Sequence, residues 1–244
     1  MKSTETLQPA RVLETIERLH ARINERFPSS GLGRVSGDLY RVAEESGAVW
    51  NRLRRPYWPL RVLALTGVAL VMAVATSLVV LITSLKAPHV IGLPDTLQTI
   101  ESGINDVVLL SLAIFFLATM EGRYKRHVAL RNLHRLRSIV HIVDMHQLTK
   151  DPEWLFTPDA TTPSSPQRKF TRFELTRYLD YCSELLSLSS KIAALHMQYM
   201  NDPVVLDAVN DIETLAASLS NSVWQKIMIL DTTLADEPGR TPGL

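Results

Sequence analysis

Three histidines, His127, His134 and His141, stand seven residues apart. On an α-helix that spacing puts them along nearly one line, about 10.5 Å from each other. Two side chains that far apart cannot share a metal ion within one chain. Ligation from a single helix needs a spacing of three or four, which in this stretch only His141 with Asp144 offers, and the remaining ligands would have to come from another helix or subunit. The row therefore reads as a solvated polar edge beside arginines, with a histidine ring in an oligomer and a metal site as rarer outcomes. His134, Arg137, His141, Asp144 and His146 bring acid and base types into one stretch, but 7 His in 244 residues produce such groupings without selection.

No HExxH, P-loop, GxSxG elbow or paired CxxC occurs in the sequence, so no reaction is named by motif. Gly31-Leu32-Gly33 begins a dinucleotide pattern, but Ser36 stands at the third glycine position and no strand precedes it. Cys182 is the only cysteine, which excludes an intrachain disulfide. No cofactor is implied. The formal net charge of +1 gives no dominant basic field, so nucleic acid is not an expected partner.

The elements that must position these residues are organised around two apolar stretches. Residues 62–85 carry no charge and no proline and at helical rise cover about 36 Å, more than the roughly 30 Å of hydrocarbon in a bilayer. A second span is expected over about 104–121. It runs without a breaker into a basic helix. Arg52, Arg54, Arg55 and Arg61 precede the first span; Arg123, Lys125, Arg126, Arg131, Arg135 and Arg137 follow the second; the connecting loop at 86–103 has one lysine. By the positive-inside rule both termini are cytoplasmic. Trp50, Tyr57 and Trp58 read as an interfacial aromatic belt, and Arg123, Lys125 and Arg126 as contacts to lipid headgroups. The first sixty residues are charged and patterned, so no signal peptide is expected.

The expected fold is all-α: a two-span transmembrane helical hairpin with a cytosolic helical bundle formed by N- and C-terminal helices. Residues 1–58 give two amphipathic helices, with stripes through Leu13, Ile16, His20, Ile23 and Phe27 and through Val35, Leu39, Val42, Ser46, Val49 and Leu53. Residues 59–122 are the membrane hairpin. In the membrane-proximal helix, 123–156, the stripe is Ala129, Leu133, Leu136, Val140 and Val143. A Pro/Ser/Thr linker occupies 157–167, a C-terminal helical hairpin 168–234, and a disordered tail 235–244. From 168 to 200 two adjoining apolar rows run in step, and so wide a face belongs in a bundle core rather than a ligand groove or a two-stranded seam.

The function that fits is non-catalytic: a membrane-anchored scaffold or regulatory subunit, in a bacterial inner membrane, acting through helix packing and self-association. Its partners would be membrane lipid and either further copies or another membrane protein. A small homo-oligomeric channel or transport component is the alternative, with Asn105 and Asp106 as pore or oligomer contacts. A membrane-tethered metal-dependent enzyme comes third. Reporter fusions or cysteine labelling should place Ser3 and Thr241 inside and Thr96 outside; labelling of either terminus from outside would overturn this topology.

Overall fold

The computed structural model describes residues 6–84, 93–152 and 170–235. The linker at 157–167, residues 153–156 of the expected membrane-proximal helix, and all of the tail beyond residue 235 lie outside the described residues. Six helices make up the regular structure there: α1 (Pro9–Arg26), α2 (Gly31–Arg54), α3 (Trp58–Ser84), α4 (Leu93–Leu148), α5 (Arg172–Met197) and α6 (Pro203–Ala235). No strand occurs among the described residues. Two of the helices are long and apolar enough to cross a membrane, with a mean hydropathy of 1.9 over their most apolar windows and none of those windows buried.

The chain divides into two compact units, one made of everything up to Arg54 together with everything from Val128, the other of Arg55–His127. In the first unit α1, α2, the end of α4, α5 and α6 alternate in direction. Hydrogen bonds and ion pairs fix that order: His20 meets Ser36 across α1 and α2, Ser46 meets Asn132 across α2 and α4, and Asn132 meets His196 across α4 and α5. Arg137 with Asp211 and Gln147 with Lys226 show α4 and α6 running in the same direction.

Helix α5 lies at the centre. Leu175, Leu179, Cys182, Leu185, Leu186, Ile192, Ala193 and Leu195 are fully buried, so both apolar rows are covered. Its start is a capping box: Thr171 Oγ1 accepts the Glu174 amide at 3.2 Å, and Glu174 accepts the Thr171 amide at 2.8 Å. Thr171-x-x-Glu174 is the sequence pattern of such a cap. The α4 stripe is buried as its spacing requires. In α1 the buried face runs instead through Val12, Ile16, Leu19 and Ile23, with Leu13 and His20 at its edge, a rotation of one residue position. That rotation lets α1 seat against the glycines of α2. A Cβ at Gly33 would come within 2.5 Å of Asn24 Oδ1, and one at Gly37 within 3.2 Å of His20 Cε1. The small residues Gly33 and Gly37 are packing positions inside a helix.

Two expectations change. Trp50 belongs to no interfacial belt: it is 5 % exposed, stacked on Tyr199 and edge-on to His196 in the bundle core, because the period of α2 returns it to the buried face four residues after Ser46. Helix α4 begins at Leu93, well before the expected start at 104, since a proline in the first turn, here Pro94, is compatible with helix and no breaker follows it.

Since α5 is covered by α1, α2 and α4 as well as α6, a fragment of residues 168–234 would expose most of one apolar face. It should be molten or oligomeric by near-UV circular dichroism and light scattering. A monomeric fragment with a sharp cooperative transition would contradict the packing described here.

Candidate functional site

Three polar clusters stand out, two in the bundle and one in the apolar unit. In the bundle, three helices meet at Ser46, Asn132 and His196, which are 0 %, 4 % and 0 % exposed. All three fall on the buried faces of their own helices, so the core must accept them and pair them. The Asn132 amide nitrogen donates one hydrogen to Ser46 Oγ at 2.6 Å and the other toward His196 Nε2 at 3.0 Å. Ser46 passes its own proton to the Val42 carbonyl at 2.6 Å. His196 Nε2 is thus an acceptor, and Nδ1 carries the hydrogen that reaches the Ile192 carbonyl at 3.0 Å. The only consistent assignment is a neutral imidazole. Burial pushes the His196 pKa down to about 4, against the smaller opposing effect of the backbone carbonyls of Ile192 and Ala193. Trp50 covers the cluster, its buried indole Nε1 lacking a hydrogen-bond partner.

At the other end of the same unit Lys226 Nζ donates to the Gln147 carbonyl at 2.9 Å and to Gln147 Oε1 at 2.8 Å. Gln147 Nε2 donates to Asp144 Oδ1 at 2.7 Å. A cation at the last carbonyls of α4 complements the helix dipole and ties α6 to it. Desolvation lowers the Lys226 pKa, with Asp151, Asp144 and Cys182 opposing. Cys182 is fully buried, and burial pushes its thiol up to about 12, so it has no reactive thiolate.

Asp144 is therefore engaged by Gln147 of its own helix, while His141 is exposed. Among the described residues no three His, Cys, Asp or Glu side chains converge to hold a metal. His127 and His134 are also exposed. Among the described residues the fully buried histidine is His196, whose sequence signal is its place beside Ile192 and Ala193 in the apolar phase of α5.

The second unit is held by Glu121. Its carboxylate accepts from Arg61 Nε at 2.6 Å, from the Tyr57 amide at 3.1 Å and from Lys125 Nζ at 2.9 Å. Tyr57 and Tyr124 pack beside it with ring centroids 5.0 Å apart, and Gly67 leaves room for Leu117, whose Cδ1 would lie 2.8 Å from a Cβ there. Of the three residues expected at headgroups, Lys125 is thus bound to Glu121. Arg123 is exposed and lies over the Phe116 ring at 5.1 Å. Arg126 is half-buried. Asn105 and Asp106 are exposed, and among the described residues Asp106 makes no hydrogen bond or ion pair.

The His196 arrangement has a definite pH signature. A histidine whose folded pKa lies below its unfolded value of about 6.5 binds fewer protons when folded, so its stability contribution is full above that value and is lost as pH falls toward 4. The loss should approach about 3 kcal/mol at most, from roughly 1.36 kcal/mol per unit. Chemical denaturation between pH 7.5 and 4 should show it. The His196→Gln variant should be less stable at neutral pH by about 1–3 kcal/mol yet show a shallower dependence on pH, and an unchanged slope would contradict the assignment. No protein-family model, curated protein or solved structure matches this chain.

Proposed function

We propose that this chain is an integral membrane protein that crosses the bilayer twice, keeps both termini on the cytoplasmic side, and works as a non-catalytic scaffold or regulatory subunit through helix packing and self-association. The observation that carries the non-catalytic part is the closed hydrogen bonding of Ser46, Asn132 and His196. Every hydrogen and lone pair traced there is spent on another helix or on backbone, which suits a device that fixes three helices in register and leaves no base poised for a substrate.

The membrane part is supported by α3 and the apolar half of α4, where Leu65, Leu70, Val107, Leu109 and Leu112 are each more than 60 % exposed. A soluble hairpin with that surface would aggregate; in hydrocarbon it is matched to its solvent. Support for packing partners comes from the bundle surface, where Met145, Leu148, Trp224 and Met228 are also exposed. The channel reading keeps a place because of Asp106, an ionisable residue within an apolar helix.

The full-length protein in mild detergent should run as a defined oligomer, or with a stoichiometric protein partner, by light scattering of the purified species. Reconstituted into liposomes, it should pass no ion flux above protein-free vesicles. A monodisperse monomer without partner would refute the scaffold reading, and steady flux would replace it with the channel.

A further inference from the structure

Between the start of α1 and the second half of α5 the bundle is open. A cavity of about 420 Å³ lies there, within the size range of small-molecule sites, with Leu7, Val12 and Leu188 among its walls and the exposed Arg11 and Lys191 beside them. Val12 and Leu188 are each 6 % exposed and belong to the core, and Leu7 packs against it. The floor is apolar. Two threonines and Gln8 complete the lining, and no carboxylate does.

The wall on the α1 side is fastened. Gln198, just past the end of α5, donates from its side-chain amide to the Leu7 carbonyl at 3.2 Å and accepts from the Leu7 amide at 3.1 Å, so the segment before α1 is held at both of its hydrogen-bonding groups. The backbone of the first turn offers a ligand little, because the Arg11 and Val12 amides already bond to the Gln8 carbonyl. Recognition falls to side chains, and their charge is one-sided. The first turn of α1 has no acidic residue, and the next carboxylates along the two helices are engaged elsewhere, Glu14 by Arg18 and Glu184 by Arg22. Lys191 Nζ donates to Ser187 Oγ at 2.6 Å, a neutral acceptor that leaves the charge of the ammonium in place.

We propose that this cavity binds a carboxylate-bearing amphiphile of the fatty-acid class, with its alkyl chain on Leu7, Val12 and Leu188 and its carboxylate between Arg11 and Lys191. An apolar floor alone accepts any hydrocarbon, and two surface cations alone accept any anion. Joined in one small cavity without an opposing carboxylate, they select a molecule that has both parts. The site lies wholly within the bundle unit, so it stands independently of where the apolar hairpin resides. Because its walls come from α1 and from the central helix α5, a ligand that binds only the folded arrangement ties the two together. That gives a non-catalytic regulatory subunit a signal to respond to.

The test uses the full chain, purified in nonionic detergent, and decanoic acid carrying a photoreactive diazirine on its chain. Illumination should attach the probe within residues 6–15 or 188–191, as read by peptide mass mapping. At equal free concentration, unlabelled decanoate should compete several-fold better than decanol or decyltrimethylammonium, which share the chain and lack the negative charge. The double variant Arg11→Gln, Lys191→Gln should lower labelling about tenfold, as the loss of a charge-assisted hydrogen bond implies. Arg11→Lys with Lys191→Arg, which keeps both charges, should retain most of it. Both positions are exposed, so each double variant should unfold at the temperature of the parent, which separates lost binding from lost structure. Labelling outside these segments, equal competition by decanol, or equal labelling of the glutamine variant and the parent would overturn the proposal.

Discussion

Helix α5 is apolar around so much of its circumference that its own hairpin partner cannot cover it. One face takes α6, and the other must be closed by helices from elsewhere in the chain. Each fully buried Leu or Ile is worth roughly 1.5–3 kcal/mol relative to exposure, and α5 buries Leu175, Leu179, Leu185, Leu186, Ile192 and Leu195 completely. Covering them requires α1 and α2 from before the apolar hairpin and the end of α4 from after it. The compact unit built from both ends of the chain follows from that demand, and the apolar hairpin becomes an insertion between two parts of one core.

A core made of leucine rows alone would tolerate sliding, since one turn of α4 looks much like the next. The polar residues remove that freedom. Asn132 can satisfy both amide hydrogens only where Ser46 and His196 are both in reach, which selects one register for α2, α4 and α5 together. Lys226 does the same for α6, because its ammonium fits the two oxygens of Gln147 at the end of α4. Leaving any of these groups unpaired costs about 1–3 kcal/mol, so misregistered packings are penalised more than native pairing is rewarded. Aromatic packing closes the far end, with Phe27 edge-on to Phe170, Tyr178 and Tyr181.

Much of this was readable from periodicity. The stripe Ala129, Leu133, Leu136, Val140 and Val143 and the two rows of α5 follow from spacing alone, because burial of a helix face is a property of one segment. Pairing is a property of two. Asn132 lies beside Leu133 on the buried side of α4, and its phase could have marked it as a buried polar residue, but nothing local says that its partners are Ser46 and His196. The same limit applies to His127, His134 and His141: a regular spacing is visible in sequence whether it faces a core or, as here, solvent. Trp50 was misplaced for a related reason, since nearness in sequence to Tyr57 and Trp58 suggested a shared belt while helical phase turned its ring inward. Helix α4 starts inside the loop expected at 86–103, because proline in a first turn, here Pro94, costs a helix little.

Glu121 changes how the basic residues around it should be understood. Counted as charges, Arg61 and Lys125 look like two more attractions for anionic headgroups, each worth about 1 kcal/mol near a surface. The single carboxylate offsets one of their two positive charges, while Arg123 is left free of it with its side chain over Phe116. Orientation is affected less, because the positive-inside preference counts lysines and arginines near the spans and gives acidic residues little weight. On the proposed membrane reading the clamp separates two roles that the sequence merges: the same basic residues would set which way the hairpin inserts and then, once it has folded, fix one helix against the other.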